Sequence, residues 1–323
     1  MDSTLANFLD LTFLDSLLVP VPDADQAGAE AGNIDTSTAK ATTSKMNSTE
    51  DEPKDKWKDV GSDEPAAESF DLVILNSLVT PHLGRLVARC GAVFCADGGS
   101  NRLVESGVLP ETSSALGRLS SYRKWVVGDL DSARPETLRV LRQEHGFAVL
   151  QLVDENSTDF HKALWLRDRL RTGDQPAKTD HGRDDQDHGR DDPGQGGGRP
   201  RWVIVEGGFG LRFDQCLASI SEGLKFAVRH RDSALLFLGE ETLLVPLCGG
   251  REHRMRVPRC AASSCAGVLA FVDCTSVSTT GFKWNLDAQP LSMLGLISSS
   301  NQVVDPVVTI TSDQPLVFYQ QLR

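Results

Sequence analysis

The chain reads as an α/β unit, a mostly parallel sheet flanked by helices, followed by an all-β unit, a C-terminal antiparallel β-sandwich. Three observations predict this. From about residue 70 to residue 240, apolar runs of strand length alternate with helical patterns. Several of those runs are apolar at consecutive positions, as strands buried on both faces are. Beyond residue 240 the helical period vanishes, and short alternating runs are separated by Gly, Pro, Asn and Asp.

Taken in order, residues 1–67 are rich in Asp, Glu, Ser, Thr and Ala and are expected to form a disordered acidic tail. Within it Leu5, Phe8, Leu9, Phe13, Leu17 and Leu18 could line one side of a short helix over residues 5–19. Such a helix would dock on a partner or on its own domain, or remain a tail with residual helicity. The α/β unit is expected over residues 68–240. DLVILNS (71–77) is a buried strand, and Pro81 opens a helix that runs to Cys90. Residues 92–96 repeat the strand signal, end in Asp97-Gly98-Gly99, and lead into a helix through Val104. A third strand runs into GDLDS, and a helix follows from Pro135 to about Glu144. Residues 147–152 form a fourth strand, and a helix covers about 159–171. Strand 202–206, helix 213–228 and strand 234–238 complete the unit. The sandwich, residues 241–323, is expected from runs at 242–247, 253–257, 267–272, 277–286, 295–300, 303–310 and 315–320.

Residues 173–200 interrupt the α/β unit with a low-complexity insertion containing the near-repeat DHGRDDQ, DHGRDDP. His181, Asp184, His188 and Asp191 could hold a metal, but a segment without apolar residues is more simply a solvated loop.

At 323 residues with 40% hydrophobic content, the chain can build two cores. A net charge of -12 with no Lys/Arg cluster argues against a nucleic-acid surface. An acidic protein that handles phosphates would need metal ions and local donors to offset its own repulsion. The seven cysteines form no CxxC pair and no zinc spacing, so they read as reduced thiols of a cytoplasmic protein. No apolar run could span a bilayer, so no membrane partner is expected. The first basic residue is Lys40, which argues against a signal peptide or presequence.

The chemistry centres on KWVVGDLDS (124–132). Asp129 and Asp131, two apart at a strand end, could share one crevice, and paired carboxylates favour a hard cation such as Mg²⁺. They could equally be a solvated turn. Ligands of open α/β sheets bind beyond the carboxyl ends of the strands. Asp97, Asp129 with Asp131, Asp159, and Asp214 just after Arg212 all fall at such ends. Gly98, Gly99, Gly207, Gly208 and Gly210 would let backbone N–H groups approach an anion, and Lys162 and Arg212 could neutralise charge during transfer. The glycines around 207–210 make neither a Walker A loop nor GxGxxG. Simpler roles remain for each: helix caps at Asp97 and Asp159, and a structural ion pair between Arg212 and Asp214. These residues alone indicate Mg²⁺-dependent phosphate chemistry without naming a substrate. A DxD glycosyltransferase or phosphatase would explain GDLD but not the later motifs.

Six motifs occur in order: CADGGSNRL (95–103), GDLDS (128–132), STDFHKAL (157–164), GGFGLRFDQ (207–215), TTGFKWNL (279–286) and ISSSN (297–301). Together they resemble the thiamin pyrophosphokinase family, over essentially the whole chain from about residue 70 apart from the insertion. The resemblance implies transfer of pyrophosphate from ATP, as co-substrate, to the hydroxyl of thiamin, giving thiamin diphosphate and AMP. It places Asp97, Asp129, Asp131 and Asp159 around Mg²⁺ and the phosphates, with Asp129, Asp131 and Asp159 as metal ligands. Arg212 and Asp214 join the catalytic set, and Asn76, Gly98, Gly99, Asn101, Arg102, Lys162, Gly208 and Gln215 the nucleotide side. It further implies a homodimer whose thiamin site lies at the interface, with Trp284, Ser300 and Asn301 reaching across and Glu155 near the thiamin ring.

The residues are consistent with this. An indole face at Trp284 and an acidic cleft suit a cationic aromatic substrate, although Trp284 could instead be a sandwich-core aromatic. Attack by an alcohol at phosphorus needs in-line placement and charge neutralisation, and Asp131 or Asp159, whichever is not fully occupied by metal, could accept the hydroxyl proton. The sequence also departs from the family. Leu211 stands where a glycine usually precedes the arginine, Glu155 replaces a glutamine, and Asn156 and Ser157 replace an Asp-His pair. These departures leave open a catalytically weak or silent thiamin- or nucleotide-binding homologue.

Overall fold

The chain enters its fold as a strand where the apolar stripe predicts a helix. The computed structural model describes residues 7–18, 70–119, 123–172, 201–258 and 264–322; the rest of the acidic tail and the 173–200 insertion, with His181, Asp184, His188 and Asp191, lie outside the described residues. β1 (Asn7–Asp10) pairs in parallel with the strand carrying His253 and Arg256. Asp10 Oδ1 then accepts the Thr12 N–H at 3.0 Å and the Thr12 hydroxyl at 2.6 Å, turning the chain into a 3₁₀ turn (Thr12–Leu14) and α1 (Asp15–Leu18). Leu9, Leu11, Leu14 and Leu17 are fully buried, and the Phe13 ring lies 5.6 Å from that of Trp202. So short a helix has little stability of its own, and an open sheet edge with an apolar seat decides the conformation instead.

β2 (Asp71–Ile74), α2 (Leu83–Arg89), β3 (Ala92–Ala96), α3 (Gly99–Glu105), α4 (Leu109–Arg118), β4 (Lys124–Gly128), α5 (Pro135–His145), β5 (Ala148–Gln151), α6 (Asp159–Thr172), β6 (Arg201–Glu206), α7 (Phe213–Arg229) and β7 (Ser233–Leu238) follow. All six of these strands run parallel, in the order β7-β6-β2-β3-β4-β5. Alternate strand residues feed two cores. Leu72, Ile74, Val93, Cys95 and Val126 pack with residues of α2 to α5 on one face. Val73, Phe94, Val127, Val205 and Leu235 pack with Phe160, Leu164, Leu166 and Phe226 of α6 and α7 on the other. The pattern of strands and helices is the expected one, with an additional helix, α4, that the sequence reading did not anticipate.

The C-terminal strands are β8 (Thr242–Leu247), β9 (Arg251–Arg256), β10 (Cys265–Leu269), β11 (Cys274–Thr280), β12 (Gln289–Leu291), β13 (Ser298–Gln302), β14 (Val307–Ser312) and β15 (Leu316–Gln321). They are antiparallel, as the alternating runs predict, but half of them extend the first sheet. β8 pairs with β7, and the order continues β8-β15-β10-β13, giving one ten-stranded sheet. The other sheet is β1-β9-β14-β11-β12.

Candidate active site

Three carboxylates meet where β3, β4 and α6 converge. Asp97 follows β3 with a left-handed φ of 43°, Asp129 follows β4, and Asp159 opens α6. One carboxylate oxygen from each lies within 4.8 Å of the others, a spacing that can hold a metal ion. Gly128 makes the convergence possible. A Cβ there would stand 2.7 Å from Asp97 Cβ and 2.9 Å from Asp159 Oδ1, and its φ of 158° is unfavourable for other residues.

Asp97 is buried, and its carboxylate accepts the N–H groups of Ser132 (3.1 Å) and Ala133 (3.0 Å). Burial raises its carboxyl above the usual range, with Asp159 and Asp129 adding to the rise, while the two N–H groups pull the other way. Lys162, one turn into α6 and buried, places Nζ 3.0 Å from Asp159 Oδ1 and 3.8 Å from Asp129 Oδ2. It partly offsets the repulsion among the three acids. Asp131 stands apart. Leu130 between the aspartates has a φ of 67°, the Asp131 N–H donates to Asp129 Oδ1 at 3.2 Å, and the exposed Asp131 carboxylate accepts the Ser132 hydroxyl at 2.9 Å. The pair is thus a turn in which Asp129 faces Asp159 and Asp131 faces Ser132.

Around this centre lie the residues that the sequence assigns to the nucleotide side. Gly99 lets α3 start against β2: a Cβ there would lie 2.0 Å from the Ile74 carbonyl oxygen. Asn101 donates to the Ser132 carbonyl at 2.8 Å and accepts the Arg134 N–H at 3.1 Å, fastening α3 to the aspartate turn. Arg102 Nε donates to Asn76 Oδ1 at 3.1 Å, and Asn76 packs on Gly98. Gly208 packs on Phe237 under the loop that follows β6. Arg212 and Asp214 form an exposed ion pair at the start of α7, with Arg212 Nε 3.1 Å from Asp214 Oδ1. Gln215 is exposed beside them. Leu211 is exposed and does not adopt a positive φ, so its replacement of a glycine introduces no backbone strain.

Trp284, Ser300 and Asn301 form a second group. The Trp284 N–H donates to Asn301 Oδ1 at 3.1 Å, and Asn301 Nδ2 donates to the Trp284 carbonyl at 2.7 Å. The indole is 59% exposed, so it is not a core aromatic, and Lys283 Nζ lies 4.8 Å from its ring centre. Ser300 has a φ of 56° and donates its N–H to the Tyr319 hydroxyl at 2.9 Å. Glu155 is exposed in the loop between β5 and α6, where Asp154 accepts the Asn156 N–H at 2.9 Å and the Ser157 hydroxyl. This second group does not join the acidic cluster within one chain. Asn301 sits on β13, at one end of the ten-stranded order, and β3 is seven strands away. At about 4.8 Å per strand that is roughly 30 Å measured along the sheet.

Sequence reasoning missed Glu206 and Thr80, a buried pair under the glycine-rich loop, and Tyr319 behind Ser300. A carboxylate ending the apolar strand RWVIVE was the available sign of the first.

The chain matches the family model for the thiamin pyrophosphokinase catalytic domain over residues 83–236 and that for the thiamin pyrophosphokinase vitamin B1 binding domain over residues 252–317. It is 26% identical over 261 residues to "Thiamine pyrophosphokinase 1" of Oryza sativa subsp. japonica, covering 80% of this chain and 89% of the relative. It is 24% identical to "Thiamine pyrophosphokinase 2" of Arabidopsis thaliana, covering 79% and 87%. Among solved structures, the thiamin pyrophosphokinase from Candida albicans superposes with a TM-score of 0.64 at 20% identity, over 80% of this chain and 90% of that one. The yeast thiamin pyrophosphokinase gives 0.62 at 20% identity, over 79% and 87%. Those structures share the fold, and the two family models fall in order on the α/β unit and the sandwich: the chain belongs to the thiamin pyrophosphokinase family.

Proposed function

We propose that the chain transfers the terminal pyrophosphoryl group of ATP to the hydroxyl of thiamin, releasing thiamin diphosphate and AMP. The carrying observation is the cluster of Asp97, Asp129 and Asp159 with Lys162 among them, at strand ends bordered by glycine-lined loops. The donor set fits Mg²⁺, since all three ligands are hard carboxylate oxygens within reach of one ion. Asp97, Asp129 and Asp159 would hold it, with the exposed Asp131 available beside them. When bound, the ion neutralises charge on the phosphate oxygens.

In the transfer, the thiamin oxygen bonds to the β-phosphorus as the bond from that phosphorus to the bridging α-phosphate oxygen breaks, and AMP leaves. Asp131 or Asp159 accepts the hydroxyl proton. Arg212 exchanges Asp214 for the phosphates, and Asn76, Arg102, Gln215 and the glycine loops orient the nucleotide. Trp284 offers its exposed face to the cationic thiamin, with Ser300 and Asn301 alongside and Glu155 on the opposite wall. Because that group lies roughly 30 Å along the sheet from the acidic cluster of its own chain, the working unit is a homodimer in which each thiamin site combines two chains. We place the protein in the cytoplasm, which suits the free thiols Cys90, Cys95, Cys216, Cys248, Cys265 and Cys274. Among the described residues no helix is long and apolar enough to cross a membrane.

Incubation of the purified chain with ATP, Mg²⁺ and thiamin, followed by chromatography, should show AMP and thiamin diphosphate in equal amounts. Release of ADP, or calorimetric binding of thiamin with no turnover, would overturn the assignment in favour of another transfer or a silent binding homologue.

A further inference from the structure

Two loops at the carboxyl end of the parallel sheet are tied by a carboxylate that the proposed transfer does not use. Glu206 ends β6 and is fully buried. Its Oε2 accepts the Thr80 N–H at 2.9 Å and its Oε1 accepts the Thr80 hydroxyl at 2.7 Å, while its backbone carbonyl accepts the Leu75 N–H at 2.9 Å. Further out the same segments meet again, where the Ser77 hydroxyl donates to the Phe209 carbonyl at 3.1 Å. Gly207 and Gly210 make this approach possible. An added Cβ would lie 2.8 Å from the Leu75 carbonyl oxygen at the first and 2.9 Å from Ser77 Oγ at the second. Between Leu75 and Thr80 stands Asn76, which holds Arg102.

A buried carboxyl is a costly way to join two loops. Burial pushes Glu206 up to about 7, and the groups that favour its ionised form are both on Thr80. Apolar side chains often replace buried charges without loss of stability, so what Glu206 contributes is the placement of the loops it holds. We propose that Glu206 is a positioning residue for the nucleotide: through Thr80 it latches the loop bearing Asn76, and with it Arg102, against the glycine-rich loop after β6. Both walls of the phosphate cradle are then set before ATP arrives. This rests on the reading of Asn76, Arg102 and the glycine-rich loop as the nucleotide side.

Kinetics and nucleotide binding on the full chain test the latch. Glu206→Ala should raise the KM for ATP about 10-fold, with kcat and the KM for thiamin within about 2-fold of the parent. Thr80→Val should weaken ATP in the same sense, and the double variant should be no worse than Glu206→Ala, as expected for two ends of one contact. Glu206→Gln keeps an acceptor for the Thr80 N–H and a donor for the Thr80 oxygen, and should restore the ATP KM to within about 3-fold. An unchanged ATP KM in Glu206→Ala, or a thiamin KM that rises in step with it, would overturn the proposal. If Glu206→Ala does not fold, Thr80→Val decides, and an unaltered ATP KM there is the adverse result. Equilibrium dialysis of a non-hydrolysable ATP analogue with Mg²⁺ reads the same latch without turnover. A parent chain that binds the analogue but releases no AMP would therefore remove the proposed transfer and still leave Glu206 testable.

Discussion

At the scale of single residues the site is a problem of crowding. Asp97, Asp129 and Asp159 approach because Gly128 carries no side chain, and Asp97 accepts a left-handed backbone because its carboxylate is held by two N–H groups of the following turn. Gly128→Ala would drive a methyl into Asp97 and Asp159, and turnover should fall by roughly 100-fold, read by AMP release. Since the three acids repel one another, Mg²⁺ should raise the melting temperature of the parent chain and leave that of Asp129→Asn unmoved; an equal rise in both would remove Asp129 from the metal site. These residues were only partly legible in the sequence. The i, i+2 spacing of Asp129 and Asp131 suggested a shared crevice, but the strand ends at Gly128 and the positive φ of Leu130 sends the two carboxylates to different neighbours. A backbone reversal of that kind leaves no periodic signal.

At the scale of elements, α6 is tied to α7 and its C-cap at two levels, by His161 with Glu222 and by Asp168 with His230. His161 Nδ1 lies 2.9 Å from Glu222 Oε2, Lys225 Nζ 2.6 Å from Glu222 Oε1, and His230 Nε2 3.2 Å from Asp168 Oδ2. His161 and Lys225 hold the Glu222 carboxyl down to about 2 against the effect of its burial. A depressed folded value means that the contribution is complete above the ordinary carboxyl range and is lost as pH falls from about 4.5 toward about 2. Glu222→Gln should lower the melting temperature at neutral pH by about 2–4 °C, corresponding to roughly 1 kcal/mol, and should flatten the acid limb of the stability curve. An acid limb unchanged in the variant would show that other carboxylates govern it. Elements with a clear period were readable from residues alone, as 213–228 and 135–144 show against α7 and α5. Those that owe their form to a neighbour were not. β1 is a strand because β9 offers an edge, and β12 is only three residues long.

At the scale of the whole molecule, one sheet runs from β5 to β13 through both units, so the acidic cluster and the group around Trp284 are fixed at opposite parts of a single framework. The proposed sharing of sites between two chains leads to a quantitative expectation. Asp129→Asn and Trp284→Ala should each be inactive alone, but mixed and reassociated they should recover about a quarter of the parent activity, because half the dimers are mixed and each of those holds one intact site. A mixture no more active than its components would place both half-sites in one chain. The pairing of β1 with β9 has a temporal side as well. β1 leaves the ribosome roughly 250 residues before its partner strand β9, on the order of 10–50 s at about 5–20 residues per second. Until then the segment whose Phe13 packs beside Phe70 and Trp202 lacks its strand partner, and the nascent chain passes through an interval in which chaperone capture competes with closure.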